Sequence, residues 1–123
     1  MAYMPTIIVD FDGVIHSYTS GWQGASCAAD LPVDGAIEWL NSMAEHFRIA
    51  ILSSRSHQPY GIECMKQYLV DNGVEEKYIS NENIIFPTEK VPAILQIDDR
   101  GFCFKGEFPT KEFIENFKPW NKV

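Results

Sequence analysis

The chain begins with a run of β-branched residues that ends in acid: Thr6-Ile7-Ile8-Val9 leads directly into Asp10-Phe11-Asp12-Gly13-Val14. An apolar stretch that does not alternate with polar residues is the pattern of a strand covered on both faces. Such a strand fixes the fold around it, because both faces need other elements to bury them. It also brings two carboxylates to its carboxyl end. Gly13 follows, which permits a tight turn where backbone comes close to a ligand.

The remaining pattern alternates strands and helices. Residues 15–31 have no sustained period and many small polar residues, so a long loop is expected there. Pro32 suits a first helical turn, and Val33, Ile37, Leu40, Ala44 and Phe47 fall at helical spacing, which predicts a helix to about His46. A second strand is expected over residues 47–52, stopped by Ser53-Ser54-Arg55-Ser56. A second helix follows from about Pro59, with Ile62, Met65 and Leu69 on one face and Asn72-Gly73 as its stop. Further strands are expected at residues 83–86, 94–97 and 102–104. The last element is a helix capped by Pro109-Thr110, with Phe113, Ile114 and Phe117 turned inward.

This order implies an α/β fold: a three-layer, Rossmann-like arrangement in which helices cover both faces of a mostly parallel sheet. With 123 residues the chain has room for one hydrophobic core, so a single domain over residues 1–123 is expected. In such sheets ligands bind beyond the carboxyl ends of the strands, near a switch in strand order. Three polar clusters follow predicted strands here: Asp10 with Asp12, Ser53 to Arg55, and Asp98-Asp99-Arg100. All three are expected on one rim.

Composition narrows the chemistry. The formal charge of -7 repels nucleic acid and anionic lipid on average, so stable nucleic-acid binding is not indicated, and affinity for phosphate must come from local cations, backbone amides or a metal. Cys27, Cys64 and Cys103 form no CxxC pair and no zinc spacing; reduced thiols and a cytoplasmic location are the expectation. The opening Met1-Ala2-Tyr3-Met4-Pro5 and the few apolar residues after it are too short for a signal peptide or membrane span.

Clustered carboxylates destabilise one another unless a cation compensates. Magnesium takes oxygen ligands and commonly uses one or two carboxylates, waters and a substrate phosphate, so Asp10 with Asp98, Asp99 or both could hold it. Asp10 beside such an ion is also a candidate nucleophile, since a carboxylate can form an acyl phosphate. Asp12 is then placed to protonate a leaving oxygen and to activate water. Ser53 and Ser54 can donate to phosphate oxygens, and Lys90 can add a cation. Trp22, with Tyr18 and His16 nearby, could stack on a base or cover a small substrate, or simply fold its loop onto the core. Arg55 could contact a second anionic group. Arg100 is expected to offset the neighbouring acids structurally, and His46, His57, Trp39 and Trp120 carry no assigned role.

These clusters resemble the haloacid dehalogenase-like phosphatase superfamily. Asp10-Phe11-Asp12-Gly13-Val14 is similar to its first motif, Ser53 to its second, Lys90 to its third and Asp98-Asp99 to its fourth, a likeness spanning residues 5 to about 104. The resemblance implies Asp10 as nucleophile and metal ligand and Asp12 as general acid/base that also ligates metal through its backbone carbonyl. It implies Ser53 and Lys90 as phosphoryl-binding groups and Asp98 as the preferred side-chain ligand. Asp99 is either a ligand or an acceptor for metal-bound water, and Gly13, Ser54, Arg55 and Trp22 are candidate substrate contacts. Retention of Asp12 favours a phosphatase over a dehalogenase.

Two departures matter. Only residues 15–31 and 74–82 are available for a cap, which implies an open site able to take a small phosphorylated molecule or a macromolecular end. Only residues 91–97 separate Lys90 from Asp98, so either the crossover is compressed or Lys90 reaches inward from lower down. The expected activity is hydrolysis of a phosphomonoester through an aspartyl-phosphate, with Mg2+ as cofactor; phosphotransfer to another acceptor stays open. The alternatives are a non-catalytic phosphate- or metal-binding module and a receiver-like signalling domain. The sequence does not set the oligomeric state.

Overall fold

Ile7, Ile8 and Val9 are all buried, and so are Ile49, Ala50 and Ile51, so the two strands they form are covered on both faces. In the computed structural model, which describes residues 4–122, these are β1 (Thr6–Val9) and β2 (Arg48–Ile51), paired in parallel with Ile7 opposite Ile49 and Val9 opposite Ile51. β3 (Ile84–Ile85) pairs with β2, and β4 (Leu95–Ile97) pairs with the other side of β1, giving one parallel sheet in the order β3-β2-β1-β4. The opening residues 1–3, part of the segment judged too short for a signal peptide, lie outside the described residues.

Helices α1 (Ala36–Met43) and α2 (Gly61–Asp71) follow β1 and β2. Ile37 and Leu40 from α1 and Met65 and Leu69 from α2 join Ile7, Val9, Ile49 and Ile51 in one buried cluster. At about 1.5–3 kcal/mol for each fully buried aliphatic side chain, this cluster is the main stabilising term. α1 starts later than Pro32 predicts because Gly35 adopts a left-handed φ of 82°, which no helix can run through. The chain at 15–17 is instead tied to 31–33, where Ser17 N–H donates to the Leu31 carbonyl and Val33 N–H to that of Ile15. The long loop is thereby closed at its neck.

One element near the sheet edges was not expected, and two expectations there need correction. A short helix, α3 (Glu76–Ser80), occupies part of the segment between α2 and β3, held by a single buried side chain, Tyr78. No strand forms at residues 102–104; Phe102 and Phe104 sit on exposed irregular chain. α4 (Lys111–Asn116) does begin at a Thr110 cap, with Phe113 N–H donating to Oγ1 at 3.1 Å, but Phe113, Ile114 and Phe117 point outward and are exposed. A 3-10 turn (Trp120–Lys122) follows.

The architecture is α/β and Rossmann-like: a parallel sheet flanked by helices, with the order 3-2-1-4 of doubly wound nucleotide-binding sheets. Receiver-like sheets run 2-1-3 and place β3 next to β1. Here β4 takes that position, so the strand order reverses between β1 and β4. The carboxyl ends of those two strands are where a ligand is expected.

Candidate functional site

Extended chain turns alternate side chains to opposite sides, and the run Asp10-Phe11-Asp12 uses this directly. Phe11 is fully buried, edge-on to Tyr68 with ring centres 5.2 Å apart and stacked on His16 at 5.5 Å. Burying Phe11 fixes the two acids on either side of it. Asp10 N–H donates to the Ile97 carbonyl at 3.0 Å, which carries the β1–β4 pairing one residue further and sets Asp10 beside Asp98.

Asp10, Asp98 and Asp99 each offer a carboxylate oxygen, and these oxygens lie within 4.8 Å of one another. Opposite ligands of a magnesium ion are ~4.2 Å apart, so this all-oxygen set suits a hard divalent cation with little adjustment. Electrostatics point the same way. Burial, the charge of Asp98, and the hydrogen bond and charge of Asp99 push the Asp10 carboxyl up to about 8, opposed by the Phe11 amide that it accepts at 2.8 Å. A cation beside such a group would favour its ionised form.

Gly13 is required where it stands. Its φ is +85°, and a Cβ there would lie 2.2 Å from Asp99 Oδ2. The turn after β1 therefore accepts Asp99 against bare backbone.

The three acids share a cavity of about 320 Å³ with Asp12, Tyr18, Ser53, Ser54, Arg100 and Asn121. A second cavity of about 280 Å³, walled by Val9, Val14, Val33, Trp39 and Ile97 among others, is nearly all apolar and offers little for chemistry. Ser53 Oγ accepts from Arg55 N–H at 3.2 Å, so its own proton stays free. The turn at 53–56 is backed by Gly61, whose missing side chain lets the start of α2 press on the Arg55 carbonyl; a Cβ would come within 1.8 Å.

Asp12 differs in kind from Asp10. Arg55 grips it twice, Nε to Oδ2 at 2.9 Å and NH2 to Oδ1 at 3.0 Å, and His16 Nδ1 adds a hydrogen bond to Oδ1 at 2.8 Å. The Asp30 amide donates to His16 Nε2 at 3.1 Å, which leaves Nδ1 as the donor to Asp12. Burial alone would raise the Asp12 carboxyl, but the His16 hydrogen bond and the hydrogen bonds and charge of Arg55 outweigh it and hold the group below its ordinary value. The chain has arranged one acid to resist ionisation and its neighbour to retain charge.

Several assignments move. Arg55 is fully buried, its NH1 donates to the carbonyls of Gly24, Ala25 and Cys27, and its remaining nitrogens hold Asp12; it is not among the cavity-lining residues. Trp22 lies over the Arg55 guanidinium, 5.1 Å from the ring centre, and is not among the cavity-lining residues. Lys90 is exposed and also outside the cavity: residues 87–94 form no helix that would return it to the rim. The cation that does line the cavity is Arg100, whose backbone N–H donates to Asp98 Oδ1 at 2.7 Å. Tyr18 and His16, noted in sequence only as neighbours of Trp22, prove to line the cavity and to bond Asp12 respectively, and Asn121 was passed over.

Cys27, Cys64 and Cys103 are free thiols. Among the described residues no helix is long and apolar enough to cross a membrane. No family model, curated protein or solved structure matches this chain.

Proposed function

We propose that the chain is a magnesium-dependent phosphomonoester hydrolase of the haloacid dehalogenase-like type. One observation carries the reading: Asp10, Asp98 and Asp99 converge at the carboxyl ends of β1 and β4, where the strand order reverses, with Ser53 beyond β2 on the same cavity. Asp10, Asp98 and Asp99 are the side chains that would hold magnesium, and the ion would neutralise the cluster and polarise a phosphoryl oxygen.

The chain's own groups then have distinct tasks. Asp10 attacks phosphorus, the bond to the ester oxygen breaks, and an aspartyl-phosphate forms on Asp10. Ser53, Ser54 and Arg100 are suited to bind the remaining phosphoryl oxygens. Asp12, held as a carboxylate by Arg55 and His16, is best prepared for the second half, taking a proton from the water that cleaves the acyl phosphate. In the first half it must act protonated, so release of a poor leaving group should quicken as pH falls toward its depressed value.

The test is phosphate release from nucleotides, sugar phosphates, phosphopeptides and end-phosphorylated oligonucleotides, with and without Mg2+. Turnover that needs the metal and is lost in Asp10→Asn is expected. Turnover surviving in Asp10→Asn would remove the nucleophile assignment. No release by a folded protein that still binds Mg2+ would favour a binding module instead.

A further inference from the structure

Residues 94–120 present an apolar surface that the fold leaves open. Phe102 meets Phe113 with ring centres 5.5 Å apart, Phe113 meets Phe117 at 6.4 Å, and Phe104 meets Phe108 at 4.8 Å. A cavity of about 540 Å³ joins Phe102 to Ile94 and Leu95 on β4. The five phenylalanines are between 39% and 84% exposed. At roughly 200 Å² for each ring, they alone present about 500 Å² of open aromatic surface. That equals the non-polar share of one side of a standard interface, about 800 Å² of which ~60% is apolar. That area is shared by two ring clusters, Phe102–Phe113–Phe117 and Phe104–Phe108, with Ile94, Leu95 and Ile114 also exposed in the same segment.

Charge and topology indicate what covers it. Residues 94–123 carry Asp98, Asp99, Glu107, Glu112 and Glu115 against Arg100, Lys105, Lys111, Lys118 and Lys122, a formal balance of zero. The whole formal charge of -7 therefore lies on the rest of the chain. Two copies meeting through this segment bring together no net formal charge from it, whereas the rest of each chain carries the full -7. β4 is one of the sheet's two end strands, with no strand beyond it among the described residues, and unlike β3 it carries exposed apolar side chains beside it. Identical strand edges complement one another when related by a two-fold axis.

We propose that this face binds a second copy of the chain and forms a two-fold dimer. The inference does not depend on the phosphatase reading. It does place the interface next to the metal cluster, since Asp98 borders both the β4–Phe102 cavity and the acidic one.

Sedimentation velocity from 1 to 100 µM is the test, together with hydrogen exchange at both ends of that range. A mass moving toward twice the monomer, with concentration-dependent protection over residues 94–117, is expected. Phe104→Glu and Phe113→Glu, both at exposed positions, should each weaken association at least tenfold with circular dichroism unchanged. Leu31→Glu, an exposed apolar site elsewhere at 78% exposure, should leave it intact. A monomer throughout the range, which would leave the face to a different partner, overturns the proposal. So does a dimer indifferent to both phenylalanine substitutions, one lost in Leu31→Glu, or one without protection over residues 94–117.

Discussion

The first two thirds of the chain and the last third treat apolar side chains in opposite ways. Through residue 86, nearly every strand and helix buries its large aliphatic and aromatic groups, several to complete exclusion; beyond residue 93, β4 and α4 hold all of theirs but Ile97 in the open. Yet the candidate site draws on both regions, with Asp10 and Asp12 from the buried part and Asp98, Asp99 and Arg100 from the exposed one. The contrast teaches that stability and site assembly are separable here. The core stands on β1, β2, α1 and α2, and the acidic cluster is completed by a segment whose large side chains are mostly exposed.

Phe11→Ala tests the buried side most severely. It should cost about 3–5 kcal/mol in chemical denaturation, because Phe11 is fully enclosed and its removal leaves a cavity between β1 and Tyr68. Arg55→Met should cost a similar or slightly smaller amount, since it leaves Asp12 partly buried without its cation. Gly13→Ala sits at the boundary: ~1–2 kcal/mol from the positive φ, with a much larger loss of Mg2+ affinity, measured by calorimetry, as Asp99 is driven away.

Titration offers a finer cut. The folded state holds the Asp10 proton up to about 8, whereas the unfolded chain gives it up near 3.8, so this group lowers stability progressively as pH rises between those values. Thermal scans of the metal-free protein at pH 5 and pH 8 should therefore show a decline that Asp10→Asn reduces and Mg2+ offsets. Asp12 has the reverse sign: the stability it contributes is lost only as pH falls below 3.8 toward its depressed folded value. The smallest effect belongs to the exposed side. Phe108→Ser should change the stability of the dilute protein by no more than ~0.5 kcal/mol, and a larger loss would show that the segment is packed after all.

How much of this was legible follows the same division. β1, β2, α2 and the acids at the strand ends were readable because β-branched runs, helical spacing and Gly73 are local signals that burial then confirms. Pro32 misled because Gly35 overrode it three residues later. The Phe102-Cys103-Phe104 alternation resembles a strand, but a strand also needs an edge to pair with, and the chain there does not take it. Arg55 was the hardest to read: its burial depends on carbonyls from residues 24–27 and on Asp12, some thirty to forty positions away. Arg100 was expected to pair with the neighbouring acids; among the described residues it forms no ion pair, and it lines the acidic cavity while its backbone N–H donates to Asp98.

The turn at Trp120–Lys122 is tied back to the loop that follows β1. Trp120 Nε1–H donates to the Gly13 carbonyl at 2.8 Å, and Asn121 Nδ2–H to that of Ser17 at 3.2 Å, bonds that join positions more than a hundred residues apart. A ribosome releases the chain from its amino end, so the apolar framework can collapse while Asp98, Asp99 and Trp120 are still inside the exit tunnel. The nascent protein thus folds its core without the full burden of clustered negative charge. The acidic cluster closes only when β4 pairs with β1 and brings Asp98 and Asp99 beside Asp10.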